Sequence, residues 1–401
     1  MRRSFAAGLA ALTLLLLAGC GGSKASPSEV PEQPSEEPAP PEPTTEELAA
    51  REIETILSSL TLEEKVGQLF FVRCPAEHAI EDIGTYHLGG YLLFGRDYQD
   101  AAGSWLTEEQ FVQTITAYQD AALADTGIPL LIGSDEEGGT VTRASRNPNL
   151  FSSPFRSPQQ IAAEAGGRGE AFAEDALEKS NGLKNLGINV NLSPVADVST
   201  EPKDFIYDRT LGQDAQSTAN YVASVVAAVR EAGGMGSVLK HFPGYGKNVD
   251  THTGIAVDQR SLESFFSSDF LPFQAGIRAG GGTAAVLVSH NIMTAVDETL
   301  PSSLSPAVHQ LLREDLGFDG VVMTDDLAMD AVKAYAKEGA VAVMALQAGN
   351  DMVITTDYRT QIPAVIAAVQ EGTLAESVID SACLRVLKCK DDHIYIPSLY
   401  S

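Results

Sequence analysis

The 401-residue sequence carries 54 acidic against 27 basic side chains, a formal charge of −27. That balance argues against nucleic acid as a partner, because affinity for a phosphate backbone is built from Lys and Arg. Hydrophobic residues make up 44% of the chain, enough for one large core, whereas Cys74, Cys383 and Cys389, the three cysteines beyond Cys20, are an odd number that does not look like a disulfide framework.

The chain opens Met1-Arg2-Arg3, runs apolar to Leu17 and closes Ala18-Gly19-Cys20. A basic start, a short apolar centre and a small-residue close make 1–20 a secretory signal, too short to span a bilayer. Its Leu17-Ala18-Gly19-Cys20 ending is similar to the bacterial lipobox, whose cysteine is lipid-modified after cleavage. Cys20 is thus the expected lipid attachment point, and the protein is expected outside the cytoplasm, anchored to the bacterial membrane. Residues 21–47 are mostly Pro, Glu, Ser and Thr, a composition that cannot offset chain entropy and reads as a disordered tether.

From residue 48 the pattern changes to one folded domain, 48–401. An amphipathic helix over 48–59 precedes Thr61-Leu62-Glu63-Glu64, a cap and first turn. Short apolar runs follow at 67–73, 89–94, 129–134, 188–192, 236–241, 284–290, 320–324 and 352–355, and helical patterns cover 108–123, 159–186, 215–232, 305–316 and 331–348. Runs this short and uncharged suit strands buried on both faces. Eight of them alternating with helices match a single (β/α)8 TIM-type barrel of the α/β class. A doubly wound open sheet is the competing architecture. The run ends favour the barrel: Arg73, Arg96, Asp135 with Glu137, Asp197, Lys240-His241, His290 and Asp325 would be gathered into one mouth only by a closed ring. No glycine-rich phosphate fingerprint follows the first run. Cys74, Cys383 and Cys389 read as packing residues.

Three segments carry candidate chemistry. Lys240-His241-Phe242-Pro243-Gly244-Tyr245-Gly246 leads into a loop with Asp250-Thr251-His252, a cation and two imidazoles with a carboxylate, suited to general acid/base work. An isolated pair such as Asp250 and His252 is more often a turn aspartate and a surface histidine. Val321-Val322-Met323-Thr324-Asp325-Asp326-Leu327 ends a buried run in two acids, which is costly unless they are paired or used. They could bind metal, cap a helix or attack a substrate; Asp326 is placed to cap, and Asp325 to point into a mouth. Gly133-Ser134-Asp135-Glu136-Glu137-Gly138-Gly139, with Arg143, suits bidentate hydrogen bonds to vicinal hydroxyls and equally a hard metal ion. Against metal stand Lys240 and the arginines in the same mouth, so no metal or other cofactor is expected.

Taken in order, Asp135-x-Glu137-Gly-Gly, Lys240-His-Phe-Pro-Gly-x-Gly, Asp250-Thr-His252 and Thr324-Asp325-Asp326-Leu327 resemble the motifs of glycoside hydrolase family 3, in its β-N-acetylhexosaminidase branch. Asn191 to Asp197, Asp208-Arg209-Thr210 and Val288-Ser289-His290 are similar to intervening family segments, so the likeness spans nearly all of the folded part. The resemblance implies that Asp325 attacks the anomeric carbon, that His252 is acid and then base, and that Asp250 orients its ring. It also implies that Asp135, Arg143, Arg209, Lys240 and His241 hold the hydroxyls and acetamide of the terminal sugar. The result is a configuration-retaining double displacement with imidazole doing the proton work. Many relatives acting on glucose add a second domain that supplies the acid/base; here the sequence ends soon after the last barrel helix, so His252 is the expected source. Two departures are visible: Thr140 stands where this branch often has arginine, and the 241–250 loop is one residue short, with Tyr245 for the usual histidine.

The expected partner is an N-acetylglucosamine-containing oligosaccharide, from cell wall or chitin-type glycans. Alternatives within the chemistry are a β-N-acetylglucosaminide phosphorylase and a β-glucosidase or β-xylosidase of the same family. A non-catalytic, glycan-binding lipoprotein is the alternative outside it, and would not require Asp325, Asp250 and His252 together.

Overall fold

The structure is a computed structural model that describes residues 44–166, 168–248, 254–333, 335 and 340–393. The signal, Cys20 and the tether up to residue 43 lie outside the described residues. Helices Thr45–Ser59 and Leu62–Gln68 each begin at a capping box, Thr44 with Glu47 and Thr61 with Glu64. The first therefore starts inside the stretch read as tether, since the side chains of 44 and 47 satisfy its opening N–H groups. The second takes in residues 67 and 68, which the sequence pattern assigns to a strand.

Ten strands follow among the described residues: β1 (Phe70–Arg73), β2 (Gly90–Leu93), β3 (Leu131–Ser134), β4 (Val190–Asn191), β5 (Gly236–Phe242), β6 (Val257–Asp258), β7 (Ala285–Val288), β8 (Ile292–Met293), β9 (Val322–Thr324) and β10 (Val353–Thr355). Eight form one sheet in the order β10-β1-β2-β3-β4-β5-β7-β9, every pairing parallel. A parallel bridge between Met323 and Met352 brings the two ends together, so the expected TIM-type barrel is the observed architecture. β6 and β8 pair apart from it. All residues of β2, β3, β5, β7, β9 and β10 are buried, as strands covered on both faces must be. The packing is close enough that a Cβ on Gly133 would enter the Phe71 ring.

Helix lengths follow local chemistry. The pattern over 159–186 is two helices, Pro158–Ala165 and Ala171–Asn185, because Gly166 turns left-handed (φ 57°) after the first. Over 305–316 an α-turn, Pro306–Gln310, passes into a π-turn, Leu311–Asp315.

Between β9 and β10 the ladder is thin, and side chains supplement it. Thr324 Oγ1 accepts from Ile354 N at 3.0 Å. Buried Asp351 accepts from Val322 N at 2.8 Å, from Arg313 at 2.6 Å and from Arg385 at 3.0 Å. Removing that carboxylate would leave two guanidinium groups and an amide without their anion at the seam. Asp351→Ala is therefore expected to cost about 3 kcal/mol, read from the urea midpoint; a loss under about 0.5 kcal/mol would show that the seam holds without it.

Candidate active site

The C-terminal ends of β3, β4 and β5 converge on one buried carboxylate. After β3 the chain turns through Gly138 and Gly139, both at positive φ (98° and 64°), and a Cβ on Gly138 would collide with the Arg156 carbonyl. The turn carries Glu137 inward, where its Oε1 meets Lys240 Nζ at 2.7 Å and Arg209 Nη2 at 2.8 Å, and its Oε2 meets Arg209 Nε at 2.9 Å. Burial alone would raise the Glu137 carboxyl, but Arg209 and Lys240 outweigh it and hold the group well below the usual carboxylate range. Burial likewise opposes the charge on Lys240, and Asp135 and Glu137 reverse that and raise it.

Asp135 shares the same lysine, with Oδ1 2.7 Å from Lys240 Nζ, and its Oδ2 lies 3.7 Å from Arg143. His241 is fixed from two sides: Nδ1 is 2.8 Å from Asp197 Oδ2 and Nε2 is 3.0 Å from Arg209 Nη2. A guanidinium can only donate, so Nε2 accepts and the ring proton sits on Nδ1, facing Asp197. Consecutive residues of a regular strand point to opposite faces. Lys240 and His241 both serve this cluster, in the stretch where the register of β5 against β7 shifts between Leu239 and Phe242.

Asp325 stands at the end of β9. Its N–H donates to Val288 O at 2.9 Å, and its Oδ1 accepts from Asp326 N at 2.8 Å. Asp326 caps the turn beyond, accepting from Ala328 N at 2.9 Å, and burial followed by the neighbouring Asp325 charge keeps its carboxyl raised against that bond. His290, after β7, joins this edge, its Nε2 3.0 Å from the Asp326 carbonyl and its Nδ1 2.7 Å from Ser303 Oγ.

The structure thus joins Asp135, Arg143, Arg209, Lys240 and His241 in one network, and places Asp325 two strands from β5 on the same rim. Asp250 and His252 lie outside the described residues. The arm leading to them is held by Arg260, which bridges Asp258 and Asp269 at 2.7 Å each, and by Asn248, 2.7 Å from Asp258. Burial pushes the Asp269 carboxyl up to about 6 despite Arg260. Among the described residues no three His, Cys, Asp or Glu side chains group as metal ligands.

Three acids matter more than their sequence context suggested. Glu137, rather than Asp135, is the centre of the ion-pair network. Asp197 orients the His241 ring and also takes the Tyr245 N–H at 2.7 Å; a lone acid closing an apolar run was its signal. Glu136 points away from the mouth, accepting from Arg143 N at 2.6 Å, from Ala144 N, and from Ser145 Oγ at 2.8 Å, and so it shapes the loop that presents Arg143.

Because the folded Glu137 pKa lies below its unfolded value of about 4.3, its contribution to stability is full above that value and is lost as pH falls below it. Glu137→Gln should cost about 3 kcal/mol at pH 7 and flatten the fall in melting temperature between pH 5 and 3 (about that window). An unchanged acid limb in thermal melts would rule this out.

Residues 61–389 match the glycosyl hydrolase family 3 N-terminal domain. Over 349 residues the chain is 29% identical to the beta-hexosaminidase LpqI of Mycobacterium tuberculosis, covering 82% of this chain and 83% of that one. It is 33% identical over 284 residues to the beta-hexosaminidase of Thiobacillus denitrificans, covering 70% and 74%. Among solved structures it is similar to a family 3 beta-N-acetylglucosaminidase from Paenibacillus sp. (TM-score 0.74, 30% identity), covering 84% of this chain and 63% of that chain. It is also similar to a beta-N-acetylhexosaminidase from Beutenbergia cavernae (TM-score 0.70, 30% identity), covering 83% and 99%. The family match covers most of the folded chain: the chain belongs to glycosyl hydrolase family 3.

Proposed function

We propose that this glycoside hydrolase releases terminal β-linked N-acetylglucosamine by a retaining double displacement, with Asp325 as nucleophile and His252 as acid/base. The observation that carries the reading is the Asp135–Lys240–Glu137–Arg209–His241 network, built on buried Lys240, Glu137 and His241, on the same rim as Asp325. Its donors and acceptors are fixed before substrate arrives, which is what positioning a polyhydroxylated ring requires. In this reading Asp135, Arg143, Arg209, Lys240 and His241 hold the hydroxyls and acetamide, and the Asp325 carboxylate displaces the leaving oxygen to form a glycosyl ester. His252 protonates that oxygen, then deprotonates the water that cleaves the ester, and Asp250 stabilises the imidazolium between the two steps. Names of relatives such as the Thiobacillus beta-hexosaminidase and the Paenibacillus beta-N-acetylglucosaminidase support the choice of an acetamido sugar.

The test is hydrolysis of aryl β-N-acetylglucosaminide and aryl β-glucoside by protein lacking residues 1–20, with and without phosphate. The acetamido sugar should be preferred. Asp325→Asn should lower kcat by about a thousandfold or more, since no covalent ester can form. His252→Ala should cost about a hundredfold, with partial rescue by azide, which needs no base. Survival of turnover in Asp325→Asn would remove it as nucleophile, and acceleration by phosphate would make the enzyme a phosphorylase.

We further propose that the enzyme works outside the cytoplasm, tied to the membrane through a lipid on Cys20. Cys20→Ser should then move the protein from the membrane fraction to the soluble fraction; retention in the membrane would mean that something else anchors it.

A further inference from the structure

Beside the sugar-holding network lies an arginine that the reaction scheme does not use. Arg73 ends β1, and its guanidinium carbon sits 4.3 Å from the centroid of the Phe94 ring, which Arg143 approaches at 5.6 Å. The Nε atoms of Arg73 and Arg143 are both buried without a hydrogen-bond partner. In a chain with 54 acidic to 27 basic side chains, a half-buried arginine with no direct ion pair among the described residues needs a reason, because an unsatisfied charged donor costs more than a neutral one.

The surrounding carboxylates are already engaged. Asp97, whose charge Arg73 offsets, accepts from Phe94 N at 2.7 Å and from Arg96 Nε at 3.4 Å. Asp135 is taken by Lys240, and Glu136 by the 143–145 segment. Arg143 spends one Nη on the Thr142 carbonyl at 3.2 Å and approaches Asp135 with the other. Two guanidinium groups therefore share one aromatic ring with donor capacity left over. One of them also borders Asp135, where the proposed function places the terminal sugar. A planar guanidinium fork is matched by an oxyanion.

We propose that Arg73, with Arg143, forms a subsite for an anionic substituent on the terminal sugar: a sulfate, phosphate or carboxylate carried on the side of the ring that Asp135 holds. The inference rests on the proposed N-acetylhexosaminidase activity. It makes the enzyme selective for acidic over neutral N-acetylhexosamine ends, and Arg73 a specificity residue rather than a catalytic one.

The experiment compares 4-methylumbelliferyl N-acetyl-β-glucosaminide with its O3-, O4- and O6-sulfated forms, each assayed on wild type, Arg73→Met and Arg73→Lys. At least one sulfated isomer should exceed the neutral glycoside in kcat/KM by about tenfold (roughly the worth of one charge-assisted pair). The sulfated-to-neutral ratio should drop to one or below in Arg73→Met and take an intermediate value in Arg73→Lys, which keeps the charge but loses the fork. If wild type hydrolyses the neutral glycoside and handles every sulfated isomer more slowly, the subsite is overturned while the activity stands. A preference that survives Arg73→Met also overturns it. If sodium sulfate changes KM for the neutral glycoside in wild type but not in Arg73→Met, and no isomer is preferred, the corner holds a free anion and its assignment to the substrate falls. Absence of turnover on all four compounds removes the activity and this inference together.

Discussion

A carboxylate cannot be taken out of water without cations to accompany it, and at Glu137 that requirement organises the mouth of the barrel. Its two oxygens take Lys240 from β5 and Arg209 from the loop after β4, while it is itself delivered by the turn after β3. Three successive strand ends are thereby fixed relative to one another. Arg209 passes the constraint to His241, and Asp197 carries it on to the Tyr245 backbone at the start of the following loop. The polar floor is rigid because each member satisfies the next.

Such a floor divides labour with the far rim. β5, β7 and β9 are successive neighbours, and backbone bonds from Ser289 N to Phe242 O and from Asp325 N to Val288 O stitch their ends together. Charge on one side is shared in a network of acids and cations, while on the other two adjacent acids sit close to one imidazole. Fixed donors on one flank can hold a polar ligand in place, while a carboxylate on the other is complementary to positive charge.

The eight apolar runs were legible because a strand covered on both faces has no choice but to be apolar, and each corresponds to one barrel strand. Their edges were less legible. Gly67 lies in a helix, and a Cβ there would clash with the carbonyls of Tyr86 and His87, a tertiary fact with no local signature. Helix Tyr358–Gln370 holds Pro363 inside it, a residue that helix interiors disfavour. In the site, residue types and strand ends could be read, but the division of roles among Asp135, Glu136 and Glu137 could not. Three acids in a row have nearly the same composition signal, and only the path through Gly138 and Gly139 decides which one faces the cations. Arg73 was legible as a strand-end residue but not as one without a direct ion pair among the described residues, since pairing depends on the distribution of distant carboxylates.

The seam between β9 and β10 also bears on how the chain folds. β10 is the strand that supplies the missing neighbour to both ends of the sheet, pairing with β1 through Phe70 and Val353 and meeting β9 through Met352. The first strand of the ring therefore waits for one nearly three hundred residues later (roughly the full span of a barrel domain). Contacts of that sequence separation close slowly. Without β10 the sheet would end at β1 and β9, with both edges unpaired. Those edges invite pairing with other chains, and a truncation that removes β10 would leave both bare at once rather than trimming a peripheral element.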